Sequence, residues 1–255
     1  MPTYDQNPAD EAMKVRNTSF NYSAVRISDL GASEYTLVGI VSDNSPSVGP
    51  YRNEMEKCIQ TAIEACRLSP RANNLLLRHT IFSSDVNQNH GWKMLADLNI
   101  ADYERCLAKF PSSMTALNLA THEAVEVMRD YGEQLAKAKF SVNGVLFIIT
   151  DGRDNLGGVQ PAAIAKVIDK IRSDEKLESL VTILVGVALG EAGVRDELES
   201  FQKEAGITQF VELKDANKSS LGKLAAFISK SISAQSQSLG TGGPSKALTS
   251  GQLSI

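Results

Sequence analysis

Three short polar clusters hold most of the residues in this chain that could do chemistry. Asp43-Asn44-Ser45-Pro46-Ser47 directly follows the apolar run Tyr35 to Val41. Ser112-Ser113-Met114-Thr115 stands at the head of a helical pattern, and Asp151-Gly152 follows the apolar run Val145 to Ile149. Together they offer two carboxylates and five hydroxyls, from which a set of two carboxylates and three hydroxyls can be drawn. That is the oxygen set a small hard dication takes when a protein does not fully enclose it, because Mg²⁺ sites commonly use one or two carboxylates and leave positions to water or a ligand. The chemistry depends on whether the fold brings the clusters together.

The elements around them predict that it does. Leu37 to Val41 is apolar on both faces, as in a central parallel strand covered by helices. Met55, Ile59, Ala62/Ile63 and Cys66 then recur at helical spacing up to Pro70. Leu75 to Phe82 reads as a second strand, with a polar turn at Ser83-Ser84-Asp85 and a short return strand near Trp92. A long helix runs from Thr115 to about Lys137. Val145–Ile149, Leu180–Val187 and Gln209–Leu213 are further strands, separated by helices, and Leu221, Leu224, Ile228 and Ile232 mark a last helix. Regular alternation of this kind implies an α/β fold, doubly wound, with a mostly parallel central sheet of about six strands and helices on both faces. In such a sheet ligands bind beyond the carboxyl ends of the strands, where neighbouring strands send their chains to opposite faces. Asp43 and Asp151 both fall on that edge, and Thr115 opens a helix beside it.

Composition sets the boundaries. The 255 residues are 42% hydrophobic and 22% charged with a net charge of −4, and Lys and Arg are scattered among acids. No basic stripe points to nucleic acid. No apolar run reaches membrane-spanning length and the start lacks the pattern of a secretory signal. Cys58, Cys66 and Cys106 stand in no CxxC and read as reduced packing residues, which places the protein in the cytoplasm. Residues 1–18 read as a disordered or extended arm and 19–234 as one domain. The Ser/Gly/Gln-rich stretch 235–255 reads as a disordered tail. Phe20, Tyr22, Val25 and Ile27 fit either an edge strand or an arm over the core. The spacing of His79, His90 and His122 gives no shared metal site.

Asp43-x-Ser45-x-Ser47, Thr115 and Thr150-Asp151-Gly152, in this order and each at a strand or helix end, resemble the von Willebrand factor A domain with its metal-ion-dependent adhesion site. The resemblance runs from about Glu34 to Ser233. It implies a Rossmann-like fold in which Ser45 and Ser47 coordinate Mg²⁺ (Mn²⁺ or Ca²⁺ as alternatives). Thr115 would join them directly or through water, and Asp43 and Asp151 would anchor the waters and hydroxyls. It also implies a protein partner that offers an Asp or Glu to the metal. Asn44, Pro46, Val48, Tyr51, Ser113, Met114 and Arg153 are the candidate rim of that contact. The sequence departs from the family at Pro46 and at Ser112-Ser113, where glycines are common. A looser resemblance, carried by Leu224–Ser233 and the tail, is to bacterial and phage von Willebrand A proteins of the tellurite-resistance, stress-response type.

Each cluster also has a bland reading, in which Asp43, Ser45 and the Ser112–Thr115 hydroxyls cap helices and Asp151-Gly152 is a turn. A phosphohydrolase would need a second acid two positions after Asp43, where this chain has Ser45, and there is no nucleotide-phosphate loop. The leading reading is therefore a binding module and not an enzyme. A scaffold with an empty metal site, acting through its surface or tail, is the alternative.

Overall fold

The computed structural model describes residues 13–15, 20–108, 113–174, 176–241 and 248. Among them are eight strands: β1 (Met13–Val15), β2 (Tyr22–Ala24), β3 (Glu34–Asp43), β4 (Leu75–Phe82), β5 (Val86–Met94), β6 (Ser141–Thr150), β7 (Ser179–Val187) and β8 (Gln209–Leu213). The α-helices are α1 (Arg52–Arg67), α2 (Leu117–Lys137), α3 (Pro161–Ser173), α4 (Val194–Glu204) and α5 (Lys218–Thr241). The strands form one sheet in the order β1-β2-β5-β4-β3-β6-β7-β8. β4, β3, β6, β7 and β8 run parallel, β5 is antiparallel to β4, and β1 is antiparallel to β2.

The layers follow from which strand residues face which way. Leu37, Val41, Leu146 and Ile148 pack with α2, α3 and α4 on one face. Val38, Ile40, Val145 and Phe147 pack with α1 and α5 on the other. Because both faces are covered, β3 and β6 are apolar at nearly every position rather than alternating. Of the strand connections, β3 passes through α1 to β4 on one side, and β6 passes through α3 to β7 on the other. The crevice where connections diverge therefore opens between the carboxyl ends of β3 and β6, where Asp43 and Asp151 stand.

Helix α2 is fixed to the sheet by a buried bidentate pair. Arg78 of β4 donates to Glu123 of α2 through Nη1 at 3.0 Å and through Nη2 at 2.5 Å. Such a pair has strict geometry, so it sets the height of α2 on the sheet. α2 also carries Tyr131, which stacks on Trp92 and donates to the Val25 carbonyl at 3.0 Å. These contacts hold β2 against the edge of β5.

Three expectations are corrected. The α/β, mostly parallel sheet is as expected but has eight strands rather than about six, because β1 and β2, the two additional ones, are too short to show a period. Within the 1–18 arm, Met13–Val15 is a paired strand; residues 1–12 and 16–18 lie outside the described residues. The tail does not begin at 235. α5 runs on to Thr241, and Gln235, Ser236 and Leu239 are buried. The Gln235 carbonyl accepts from Asn143 Nδ2 at 2.7 Å, and Ser236 Oγ accepts from Arg71 at 3.0 Å. These polar contacts carry no apolar periodicity and so leave no stripe in the sequence. The rest of the expected tail, apart from Leu248, lies outside the described residues.

Candidate functional site

At the end of β3 the chain stays paired one residue beyond the strand: the Asn44 N–H donates to the Phe82 carbonyl at 2.7 Å. It then turns into a short 3₁₀ segment, Pro46–Tyr51. Asp43 closes that turn by accepting the Ser45 N–H on Oδ1 at 2.7 Å. Its other oxygen, Oδ2, accepts the Thr150 hydroxyl at 2.6 Å, and the Thr150 hydroxyl accepts the Gly152 N–H at 3.1 Å. One carboxylate thus ties the β3 loop to the β6 loop.

The hydroxyls continue the chain of contacts. Ser47 Oγ donates to Asp151 Oδ1 at 2.9 Å. Ser45 Oγ lies 3.0 Å from Ser47 Oγ. Since Ser47 has given its one proton to Asp151, Ser45 is the donor in that contact. Asp43, Ser45, Ser47 and Asp151 therefore form a continuous set of oxygens across the crevice.

Thr115 reaches the same edge through its backbone. Its N–H donates to Asn155 Oδ1 at 2.7 Å, and its carbonyl accepts the Asn155 N–H at 3.0 Å. Next to it, α2 starts at Ala116, which has no side chain to cap the helix. Asp154 does this from the other loop, accepting the Asn118 N–H on Oδ1 at 3.0 Å and the Gly157 N–H on Oδ2 at 2.8 Å. A carboxylate over the first turn also matches the helix dipole. The loop that carries Asp151 thus also holds Thr115. Asp154, Asn155 and the clamp they form with Thr150 carry no assignment in the sequence. A polar run Asp-Gly-Arg-Asp-Asn after a strand is the one signal that pointed there.

Electrostatically the site is short of positive charge. Asp43 is 3% exposed, and burial pushes its carboxyl up to about 6. The Thr150 and Ser45 bonds pull it down, while the charge of Asp151 pushes it up. Tyr51 is half-buried nearby, and burial, then the charges of Asp151 and Asp43, raise its phenol above the ordinary value. Among the described residues no three His, Cys, Asp or Glu side chains are placed to hold a metal. A cation here would have to use serine and threonine oxygens.

The expected rim divides. Pro46 and Ser113 are exposed, and Met114 and Tyr51 are half-buried. Asn44 and Val48 are not at the rim: Asn44 is fully buried by its place in the sheet, and the 3₁₀ turn folds Val48 into the interior. Arg153 is at the surface but engaged, paired with Glu197 at 2.5 Å and Glu191 at 3.3 Å. Ser112 lies outside the described residues. His90 is buried on β5 between Gly91 and Tyr103.

No family profile matches the chain, and neither does any of the curated proteins compared with it. Solved structures do. The PilB minor pilin from Streptococcus sanguinis superposes with a TM-score of 0.55 at 14% identity, over 84% of this chain and 64% of that one. The pilus adhesin SpaC from Lactobacillus rhamnosus GG gives 0.57 at 9%, over 79% and 31%. Proximal thread matrix protein 1 from the mussel byssus gives 0.52 at 17%, over 79% and 47%. The chain spans between about a third and two thirds of the length of these solved chains. At such identities the likeness is one of fold: an α/β domain of von Willebrand A-like architecture.

Proposed function

We propose that this chain is a metal-dependent protein-binding module whose site is the crevice between β3 and β6. The observation that carries the reading is the oxygen spacing. Cis oxygens around an octahedral Mg²⁺ with bonds near 2.1 Å are about 3.0 Å apart. Ser45 Oγ and Ser47 Oγ have that spacing at 3.0 Å, and Asp151 orients Ser47 by accepting its proton at 2.9 Å. A cation could therefore be taken by the lone pairs of both hydroxyls, which keep their protons, with little movement of the loops.

Ser45, Ser47 and Thr115 would hold the ion through hydroxyl oxygens, with Asp43 and Asp151 orienting those hydroxyls and bound water. When bound, the ion supplies a doubly positive charge that the neutral hydroxyls leave largely uncompensated, so an acidic side chain of a partner is attracted to the remaining position. The residues of the chain do the rest. Asp43 and Thr150 keep the two loops at a fixed separation, and Asn155 keeps Thr115 beside them. Charge-assisted bonds in a partly desolvated crevice are about twice as strong as neutral ones, which favours a carboxylate over an amide or hydroxyl.

A hydrolytic role finds little support, since Ser45 occupies the place a catalytic acid would need and its hydroxyl is engaged by Ser47. The setting we favour is a reducing compartment, because Cys58, Cys66 and Cys106 are buried free thiols. Among the described residues no helix is long and apolar enough to cross a membrane. The tellurite-resistance connection rests on the sequence resemblance alone.

The test is a Mn²⁺ titration followed by electron paramagnetic resonance on the wild type, Ser47→Ala and Asp151→Ala. Each variant should weaken binding by about tenfold or more, as loss of a direct ligand or its anchor does, with the circular dichroism spectrum unchanged. Equal affinity in all three proteins would overturn the reading.

A further inference from the structure

A groove of about 240 Å³ lies directly beside the site, between the first turn of α2, the start of α3 and α4. Its floor is apolar: Leu117 and Leu198 are buried and Phe201 is 7% exposed. Its mouth is acidic, with Asp154, Glu197 and Glu204 against the single base Arg153. Asn118 Oδ1, also in its wall, is buried without a hydrogen-bond partner. The polar groups facing the groove are thus mainly acceptors. Arg153 already shows what they accept, since its guanidinium pairs with Glu197 of the groove, and with Glu191 outside it.

We propose that this groove is a second recognition subsite, which takes a Lys or Arg side chain of the partner whose carboxylate binds at the hydroxyl site. The inference rests on the metal-dependent reading of that site and adds the partner's second determinant. A long cationic side chain fits both halves of the groove, its methylene stem lying on Leu117, Leu198 and Phe201 and its head among carboxylates. The volume suits one side chain and is too small for a helix or a drug-sized ligand.

The spacing follows from connectivity. Both loops of the hydroxyl site lead straight into the groove, from Thr115 to Leu117 and from Asp151 to Asp154. At no more than about 3.3 Å per residue that is a step of at most roughly 7–10 Å, which two to four residues of extended peptide span. The partner motif is therefore an acid and a base two to four positions apart. The acidic mouth excludes a second carboxylate there, so it also fixes which way round the motif binds.

Selection of random linear peptides on the full-length chain tests this, run in Mg²⁺, in EDTA, and on Glu204→Lys in Mg²⁺. Glu204 lies outside the metal site, so this variant should keep its Mn²⁺ affinity and its circular dichroism spectrum. The expected result is metal-dependent peptides with Asp or Glu and a Lys or Arg within four residues. On Glu204→Lys the acid should stay enriched while the base falls about tenfold, as reversing one charge in an interface can do. Acidic peptides with no basic companion, with an apolar one, or with a base indifferent to Glu204→Lys would overturn the subsite and leave the metal reading standing. Enrichment that survives EDTA, or no acidic enrichment at all, would overturn the metal reading and the subsite with it.

Discussion

At the scale of single residues, the notable division is between side chains that would face a ligand and side chains that hold those in place. Asp43, Ser45, Ser47, Thr115 and Asp151 were legible in the sequence because their types and order match a pattern, and hydrogen bonds join four of them across the crevice. Asn155 was not legible. Its role depends on a partner 40 positions away, and an Asn in a polar loop has no periodicity or spacing that distinguishes it. Its function can be tested directly. On the metal reading, Asn155→Ala removes the acceptor of the Thr115 N–H and should weaken Mn²⁺ binding by roughly three- to tenfold, the cost of about one buried hydrogen bond. Asn155→Asp keeps an acceptor and should restore most of it. If Asn155→Ala binds Mn²⁺ like the wild type, Thr115 is held by other means.

At the scale of elements, the strands covered on both faces were plain from the apolar runs, while the edge was not. β2 is three residues long, and its place depends on Gly91 of β5. A Cβ at that position would stand 2.0 Å from the Ser23 carbonyl oxygen, so a side chain there and β2 cannot coexist. The neighbouring contacts then secure the strand: Val25 N–H donates to the Trp92 carbonyl at 3.1 Å, and Tyr22 pairs with Asp130 of α2. Gly91→Ala should therefore detach β2 and expose Tyr22 and Ala24. The expected cost is on the order of 2–4 kcal/mol, from lost burial and ladder bonds. Urea unfolding would read the stability, and hydrogen exchange at Val25 the site of the damage. Protection at Val25 equal to the wild type would mean that β2 shifts without leaving. α2 shows the same limit on sequence reading from the other side. Its apolar stripe was evident, but its cap comes from Asp154, 36 positions further on.

For the whole molecule, two features predict how stability is distributed. Cutting after Ala234 removes Gln235, Ser236 and Leu239 from the interior and leaves Asn143 Nδ2 without its acceptor. Relative to a chain cut after Thr241 it should lose about 2–4 kcal/mol, the sum of one orphaned buried donor and one apolar side chain. For a chain of this size that is a fall in Tm of roughly 5–15 °C. Two cuts with the same Tm would show that the last turns of α5 contribute nothing. The second feature is His90, whose pKa burial lowers to about 4, the contact with Gly91 and the charge of Asp102 opposing this and those of Lys93 and Arg78 adding to it. The unfolded chain takes up this proton near pH 6.5 and the native one does not. The His90 contribution to stability should therefore fall as pH drops from about 6.5 towards 4, by on the order of 2–3 kcal/mol, while Asp43, whose carboxyl burial raises to about 6, works the other way in the same window. The difference in urea-derived stability between wild type and His90→Gln isolates the His90 contribution: it should change by that amount across the window, and a difference that stays constant with pH would show that His90 makes no such contribution.

The last turns of α5 settle one more matter, which concerns presentation. Ser236 is held by Arg71, and Arg71 also pairs with Glu34, the first residue of β3. Asp43 is the last residue of that strand, so the strand's ten residues separate the end of α5 from the hydroxyl site by about 30 Å. A bead, surface or label attached at Thr241 itself, the end of α5, would therefore hold the molecule by its floor while the crevice faces the opposite way. The domain would then stand like a cup on a stem, open to whatever approaches from solution.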